Sequence, residues 1–131
     1  MILLDTHAVV WLVVEPPRLS RAATSAIRSA RSEDGLAIAA ISLWELAVLF
    51  SRGILRAHGT VEASVQLLVG SSGATVKPIT PTIAALAAQF PPEFPRDPAD
   101  RLIAATARAE GLTLLTRDRE IRKSRLVRTI W

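Results

Sequence analysis

The sequence contains no cysteine and no tyrosine, and aromatic residues make up only 5% of its 131 residues. The absence of cysteine excludes disulfides, thiolate metal sites and a cysteine nucleophile. The few aromatic side chains leave little material for stacking nucleic-acid bases. Trp11 and Trp44 lie in apolar stretches, so we expect them in the core rather than on a stacking surface.

Several sequence signals of other protein classes are also missing. The longest run of bulky apolar residues, 8–14, is shorter than the about 20 residues that cross a bilayer. No basic flank with a cleavage site marks a signal peptide, so we expect a cytoplasmic location without membrane attachment. There is no G-x-S-x-G elbow, P-loop or G-x-G-x-x-G motif, which argues against serine hydrolases, NTPases and dinucleotide enzymes.

What remains is the composition of a folded α/β protein. Half of the residues are hydrophobic and 21% are charged, which argues against global disorder. The length predicts one domain over residues 1–131. The net charge of +4 fits a polyanionic partner.

Short apolar runs alternate with helical patterns along the chain. The patterns predict strands at 1–5, 36–40, 75–79 and 112–116, and an edge strand at 127–130. They predict helices at 6–14, 20–32, 42–53, 60–69, 82–90 and 98–111, with a flexible segment at 70–73 and a proline-rich loop at 91–95. Strands separated by helices indicate an α/β fold, with a parallel sheet of four to five strands flanked by helices.

Four acidic residues lie at the junctions between these predicted elements: Asp5, Glu45, Asp100 and Asp118. A parallel sheet gathers its functional residues at such junctions, so we expect the four carboxylates to converge on one crevice. Without compensation they would repel one another, and some would stay protonated. A bound cation would remove that cost, and hard oxygen ligands favour Mg²⁺ or Mn²⁺.

Each acid also has a local structural explanation. Asp5 could cap the first helix, and Ser42 with Glu45 fits a capping box. Asp97 reads as the N-cap before Pro98, with Asp100 as a favourable acid in the first turn, and Asp118 could form an Asx turn. Capping alone does not explain why acids follow three predicted strands together.

The chain resembles the PIN-domain ribonucleases, and most closely the VapC toxins of toxin–antitoxin pairs. The resemblance covers nearly the whole length, and its most specific part is the D-P-x-D-R-L segment combined with correctly ordered acidic partners. Relatives similar at this segment often carry histidine where this chain has Arg96, whose role is left open. The matching segments are 3–7 (LLDTH), 42–47 (SLWELA), 96–105 (RDPADRLIAA) and 114–118 (LLTRD).

The resemblance implies a metal-dependent endoribonuclease whose active site is formed by the four acids. Within that site we interpret Asp5 and Asp100 as the core ligands and Asp118 as completing or bridging the first metal site. Glu45 is interpreted as a ligand or as the group that activates water, with Thr116 in support. Asp97 is interpreted first as the helix cap, and otherwise as a source of nearby negative charge.

An acidic pocket repels RNA, so cations must hold the substrate at the rim. Residues 117–125 supply five positive charges, among them the candidate RNA-binding residues Arg117, Arg119 and Arg122. The alternative is a solvated surface helix. Arg101 and Arg108 could face either the crevice or solvent, and we expect His7 to be a packed or partly exposed residue rather than a ligand.

The resemblance also implies partners: a second copy in a homodimer, and a VapB-like antitoxin whose C-terminal segment covers the acidic site. The first helix is apolar around its circumference, which fits either a fully covered helix or part of an exposed groove. Two other functions stay open, a PIN nuclease of housekeeping RNA processing and a non-catalytic binding module. A phosphatase or phospho-receiver built on Asp5 is disfavoured, because position 7 is histidine where a second acid is needed.

Overall fold

Five short parallel strands form the centre of the computed structural model, which describes residues 1–131. Their order across the sheet is β3-β2-β1-β4-β5, and every neighbouring pair is parallel. The predicted α/β fold is therefore confirmed. The strands are β1 (Ile2–Leu4), β2 (Leu36–Ala39), β3 (Thr75–Lys77), β4 (Thr113–Leu115) and β5 (Thr129–Ile130).

Helices cover both faces of this sheet. None of them is long and apolar enough to cross a membrane. A short 3-10 turn at Pro16–Arg18 follows the first helix, where two consecutive prolines prevent its continuation. The α-helices are α1 (Thr6–Val14), α2 (Arg21–Arg31), α3 (Ala40–Ser51), α4 (Val61–Ser72), α5 (Pro81–Gln89), α6 (Pro98–Glu110) and α7 (Arg119–Lys123).

The hydrophobic core has two parts, one on each face of the sheet. Consecutive strand residues point to opposite faces, so Leu3 of β1 joins one part and Leu4 joins the other. The first part contains side chains from α5, α6 and α7, and the second contains side chains from α1, α2, α3 and α4. Burial on both faces explains why the strands read as continuous apolar runs in the sequence.

The sheet changes direction at its central strand. β1 lies between β2 and β4, so the chain moves first to one side of β1 and later to the other. Connections leave such a switch point in opposite directions, which opens a crevice at the carboxyl ends of the strands. Asp5 follows β1 directly, α3 begins directly after β2, and Asp118 lies three residues beyond β4.

The predicted flexible segment at 70–73 is wrong, because α4 continues to Ser72. The Ser72 side chain is buried, donates to the Val69 carbonyl at 2.6 Å and accepts from the Ala74 amide at 3.1 Å. These bonds close the helix end, and Gly73 then takes the left-handed conformation with φ of 71°. The small residues end the helix rather than loosening it.

The first helix combines the two alternatives that its sequence leaves open. Ala8, Val9 and Val10 are buried, whereas Val14 is 59% exposed. The C-terminal end of α1 lines an apolar groove of about 360 Å³ together with residues of α3 and α4. The helix is therefore a core element at its start and a surface element at its end.

Candidate active site

A pocket of about 300 Å³ opens at the carboxyl edge of the sheet, and all four predicted acids line it. The structure therefore brings together side chains that are up to 113 positions apart in the sequence, from Asp5 to Asp118. The remaining wall mixes two polar residues with three apolar ones. The full lining is Asp5, Thr6, His7, Trp44, Glu45, Val48, Leu49, Asp100 and Asp118.

Asp5 is the most firmly held of the four acids. It is only 5% exposed and caps α1, with Oδ1 accepting from the Thr6 amide at 2.8 Å. Its Oδ2 accepts from the Thr116 hydroxyl at 2.6 Å, and its own amide donates to the Leu115 carbonyl at 3.0 Å. Both its backbone and its carboxylate are thus tied to the end of β4.

Thr116 connects two of the acids. Its buried hydroxyl donates to Asp5 and accepts from the Asp118 amide at 3.0 Å. Asp118 in turn caps α7, because Oδ1 accepts from the amides of Glu120 at 2.9 Å and Ile121 at 3.2 Å. The local explanation for Asp118 therefore holds beside its place in the pocket, and Oδ2 makes no protein hydrogen bond.

Glu45 is positioned by the hydroxyls of Thr6 and Ser42, a role that the sequence did not reveal. The Thr6 hydroxyl donates to Glu45 Oε1 at 2.6 Å, and Ser42 Oγ lies 2.8 Å from the same Thr6 oxygen. Since Thr6 has one hydroxyl proton, Ser42 donates to Thr6 when Glu45 is ionised. The signal was present in the sequence as a polar side chain beside Asp5 and another one turn before Glu45.

The capping-box interpretation of Ser42 and Glu45 is wrong. Helix α3 begins at Ala40, and its N-cap, Ala39, makes no side-chain capping bond. Ser42 lies in the first turn of the helix rather than at its cap, and its buried hydroxyl pairs with the Thr6 hydroxyl instead of a backbone amide. Glu45 is thereby free to face the pocket.

Asp100 differs from Asp5 and Asp118 because its side chain makes no hydrogen bond with the protein. Burial and the charges of the other three acids and Asp97 raise the pKa of Asp100 to about 7. Burial also raises the pKa of Glu45, with smaller contributions from Asp5 and Asp97, against the lowering effect of the Thr6 hydrogen bond. The pocket consequently resists full ionisation at neutral pH.

Asp97 caps α6, as its sequence position predicts. Its Oδ1 accepts from the Ala99 amide at 3.4 Å, and the side chain is exposed outside the pocket lining. Its charge nevertheless contributes to the raised pKa values of Asp100 and Glu45. The residue thus acts on the site through its field and through the position of α6.

His7 is a packed, partly exposed residue at the edge of the pocket, as expected. Its Nε2 accepts from the Arg117 amide at 3.0 Å, so the neutral ring carries its proton on Nδ1, which lies 3.4 Å from Asp5 Oδ2. Burial lowers the pKa of His7, although the charges of Asp5 and Asp118 oppose that effect. The ring therefore joins the Asp5 carboxylate to the segment after β4.

The candidate RNA-binding arginines lie on two different surfaces. Arg119 and Arg122 are exposed and line a shallow cavity of about 320 Å³ with Lys123 and Thr129, apart from the acidic pocket. Arg117 is also exposed, but its guanidinium carbon lies 5.8 Å from the centre of the Trp11 ring.

The side chains of Arg101 and Arg108 lie outside the acidic pocket and donate to backbone carbonyls. Arg101 donates to five backbone carbonyls in and before the proline-rich loop, those of Ala87, Phe90, Pro91, Phe94 and Pro95. Arg108 donates to the Leu126 carbonyl at 2.9 Å. Arg101 therefore supports the loop that leads into α6, while the exposed Arg96 makes no side-chain hydrogen bond or ion pair.

The expectation that two tryptophans are core residues is wrong for Trp44, which is 62% exposed on the pocket wall. Trp11 is only partly buried. Apolar neighbours in the sequence did not imply burial, because α1 and α3 each present one face to solvent near the pocket.

The donors in the pocket fit a hydrated divalent cation. No group of three or more histidine or acidic side chains forms a ready-made metal cage. Mg²⁺ typically binds one or two carboxylates and keeps several waters, so such a cage is not required. The raised pKa values of Asp100 and Glu45 show carboxylates that a positive charge would stabilise in their ionised form.

The sheet topology and the carboxylates at its switch point define an α/β domain with an acidic pocket. The family model described as "PIN domain" matches residues 2–125. The chain belongs to the PIN domain family.

Among characterised relatives, the chain is similar to Ribonuclease VapC22 of Mycobacterium tuberculosis, with 44% identity over 132 aligned positions, 99% of this chain and 98% of that protein. Among solved structures, VapBC2 from Rickettsia felis bound to a promoter DNA fragment has a TM-score of 0.75 and 18% identity, covering 99% of this chain and 98% of the other. FitAcB from Neisseria gonorrhoeae has a TM-score of 0.66 and 26% identity, covering 100% and 97%. At 18% identity the Rickettsia likeness shows the fold alone.

Proposed function

We propose that the protein is a metal-dependent endoribonuclease that hydrolyses RNA phosphodiester bonds and acts as the toxin of a type II toxin–antitoxin pair. The observation that carries the proposal is the convergence of four acids on one pocket in a chain 44% identical to a ribonuclease. The four acids are Asp5, Glu45, Asp100 and Asp118.

Asp5 and Asp100 are the proposed core ligands of Mg²⁺ or Mn²⁺, with Asp118 completing or bridging the metal site. A divalent ion bound there supplies a water of lowered pKa and positive charge for the phosphate oxygens. The hydrogen bonds to Asp5 from the Thr6 amide and Thr116 hydroxyl hold its carboxylate in one orientation before any ion arrives. Preset ligand orientation of this kind is what supporting hydrogen bonds contribute to metal sites.

Glu45 is the proposed ligand or proton acceptor for the attacking water. Its Oε1 is bonded to Thr6, which leaves Oε2 available to orient a water molecule. Because its pKa is raised, Glu45 accepts a proton more readily than an ordinary surface carboxylate. The field of Asp97 contributes to that raised pKa.

The RNA backbone requires positive charge near this pocket. Arg117, Arg119 and Arg122 are the proposed phosphate contacts, and all three are exposed and follow β4. Contacts of this kind position the strand and make binding depend on salt, without reading the base sequence.

The proposed partners are a VapB-like antitoxin and a second copy of this chain, in the cytoplasm. Support for the antitoxin comes from structures of similar fold, since the Rickettsia structure is of VapBC2 and another is a toxin–antitoxin complex from Klebsiella pneumoniae. An antitoxin tail that covers the acidic pocket needs a basic residue, because burying the carboxylates without a counter-charge would be costly.

Cleavage of total cellular RNA by purified protein tests the activity, with Mg²⁺ or Mn²⁺ compared against EDTA. We expect discrete fragments from the wild type with metal, and none from Asp100→Asn or in EDTA. If Asp100→Asn produced the same fragments, this pocket would not be the active site.

Expression in a bacterial host separates the toxin from its alternatives. A toxin arrests growth, and coexpression of the antitoxin encoded beside it restores growth. RNA cleavage without growth arrest and without a neighbouring antitoxin gene would favour housekeeping RNA processing. Absence of both RNA cleavage and metal binding would favour a non-catalytic binding module.

A further inference from the structure

The pocket wall at His7 continues into a cluster of aromatic rings. The Trp11 ring lies one helical turn after His7 on α1, with the two ring centres 4.9 Å apart. Trp131 packs beside both, 5.6 Å from Trp11 and 6.0 Å from His7. The three rings, from the start of the chain and its last described residue, form one surface that is only partly covered.

Two arginines lie against this aromatic surface. The Arg18 guanidinium carbon is 4.4 Å from the centre of the Trp11 ring, and that of Arg117 is 5.8 Å away. Arg18 has one ion-pair partner, Glu15, at 3.8 Å, and its side chain is 48% exposed. Arg18 and Arg117 can therefore turn toward a phosphate. No buried acidic group loses its partner, because Glu15 is itself exposed.

His7 places this surface directly beside the acids. Its Nδ1 is 3.4 Å from Asp5 Oδ2, while its Nε2 is tied to the amide of Arg117. His7 thus lies between the Asp5 carboxylate and the Trp11 ring, which brings that ring within reach of the nucleotide next to a phosphate held at Asp5. Trp11 and Trp131 pack against the hydrophobic core on one side, and the cations and carboxylates lie at the partly exposed side of the rings.

We propose that Trp11 is a stacking subsite for an unpaired RNA base next to the phosphate that is cleaved, an inference that rests on the proposed function. Arg18 now covers the ring, and the incoming base displaces it toward the RNA backbone. The exchange is favourable because base stacking on an aromatic ring is stronger than an exposed cation–π contact. Stacking accepts any base, so this subsite selects single-stranded RNA rather than a sequence.

Trp44 provides an internal contrast. It is the more exposed ring, at 62%, and it lines the same pocket on the α3 side. However, no cation or second aromatic ring stacks on Trp44, and the neighbouring groove between α3 and α4 is apolar. Only Trp11 has arginines beside it that can bind the phosphates of RNA, so we assign the stacked base to Trp11.

Two probes of equal charge distinguish stacking from electrostatic attraction. One is fluorescein-labelled oligoadenylate, and the other is an abasic ribose-phosphate chain of the same length. Binding is measured by anisotropy with Mg²⁺ in the Asp100→Asn background, so that cleavage does not interfere. We expect oligoadenylate to bind about tenfold more tightly than the abasic chain. Trp11→Leu should bring the ratio of the two dissociation constants close to one, and Trp11→Phe should keep part of the difference.

The matched controls are Trp44→Leu and Arg18→Gln. Trp44→Leu should retain the ratio between the probes. Arg18→Gln should weaken both probes equally and reduce the salt dependence of binding, because it removes a phosphate contact. A ratio that survives in folded Trp11→Leu, or that falls equally in Trp44→Leu, would overturn the proposal.

A second measurement keeps Trp11 in place, in case Trp11→Leu does not fold. In a protein carrying Trp44→Phe and Trp131→Phe, the fluorescence of Trp11 should be quenched by oligoadenylate and not by the abasic chain. Equal or absent quenching would contradict the stacking subsite. The proposed nuclease fails independently, through absence of metal-dependent cleavage in the wild type.

Discussion

The acidic pocket has two halves that are built differently. The strand half consists of Asp5 and Asp118, which follow β1 and β4 and accept hydrogen bonds from backbone amides. The helix half consists of Glu45 and Asp100, which project from α3 and α6 and have raised pKa values. Asp100 has no hydrogen-bond donor at all, and Glu45 has only the Thr6 hydroxyl.

This difference separates two tasks within one site. Amide donors stabilise a carboxylate in its ionised form and fix its direction, so the strand half is prepared without a cation. The helix half is desolvated without equivalent donors, so its charge state depends on what enters the pocket. We infer that metal affinity and pH dependence arise mainly from the helix half, and that site geometry arises mainly from the strand half.

The largest expected effect comes from comparing Asp100→Asn with Asp5→Asn. Each should reduce RNA cleavage about a hundredfold or more, because each removes a proposed metal ligand, and loss of even a ligand's supporting partner costs about 10–100-fold. Their effects on metal-free stability should be opposite. Asp100→Asn should raise the melting temperature by removing a desolvated, repelled charge, whereas Asp5→Asn loses a charge-assisted bond from Thr116 and should lower it.

Thermal unfolding in EDTA measures this contrast, and a circular dichroism spectrum confirms that both variants are folded. If Asp5→Asn stabilised the metal-free protein more than Asp100→Asn, the division between the two halves would be wrong.

The next largest effect should come from removing the Thr116 hydroxyl, which connects Asp5 and Asp118 in the strand half. Thr116→Val should cost roughly 1–3 kcal/mol, because it leaves the Asp118 amide without its acceptor and Asp5 Oδ2 without its hydroxyl donor. Metal affinity should also fall about tenfold or more, as it does when supporting hydrogen bonds are removed. Chemical denaturation and metal titration measure the two effects.

Thr116→Ser is the matched control, because it keeps the hydroxyl and loses only a methyl group. If the serine variant behaved like the valine variant, packing rather than hydrogen bonding would account for the role of Thr116.

The strand half was easier to predict from sequence than the helix half. Asp5 and Asp118 follow apolar strands, and a parallel sheet places such ends along one edge. The helix half depends on how α3 and α6 are rotated, which short-range pattern does not determine. The capping-box error at Ser42 shows this, since the spacing of Ser42 and Glu45 fits the N-cap position and positions within the first turns of a helix equally well.

Long-range hydrogen bonds were likewise invisible in the sequence. The Thr6–Glu45 bond spans 39 positions and the Thr116–Asp5 bond spans 111, so only the folded sheet brings the partners together. Arg101 was ambiguous for the same reason, because its five carbonyl acceptors lie at the end of α5 and in the irregular loop that follows it. The exposed position of Trp44 depends on which face of α3 the core leaves uncovered.

A smaller loss of stability should follow from weakening the contacts of Arg101, which support the start of α6 in the helix half. Arg101 follows Asp100 in α6 but donates to carbonyls of the proline-rich loop, which lysine cannot match with its single ammonium group. Arg101→Lys should therefore cost about 1–2 kcal/mol of unfolding free energy. Urea denaturation measures the loss, with Arg96→Lys as the control at an exposed arginine that makes no such contacts. Equal effects of the two substitutions would show that the loop does not depend on Arg101.

The last prediction is the pH dependence of metal-free stability, and it concerns Asp100. Its pKa rises from 3.8, the ordinary value, to about 7 in the folded protein, so the folded state binds the proton more tightly than the unfolded state. Stability should then fall as the pH rises from about 4 to about 7. Glu45 adds a change of the same sign, because its pKa is also raised.

His7 works in the opposite direction, because its lowered pKa makes stability rise with pH up to its ordinary value of 6.5. The informative quantity is therefore the difference between the wild type and Asp100→Asn, measured in EDTA by thermal unfolding across this range, in which the His7 contribution largely cancels. We expect the variant to be no more stable than the wild type near pH 4 and to gain steadily toward pH 7. Mg²⁺ should reduce the difference, since a cation favours the ionised carboxylate. A difference that is constant with pH would show that folding does not raise the pKa of Asp100, and the contrast between the two halves would then be one of geometry alone.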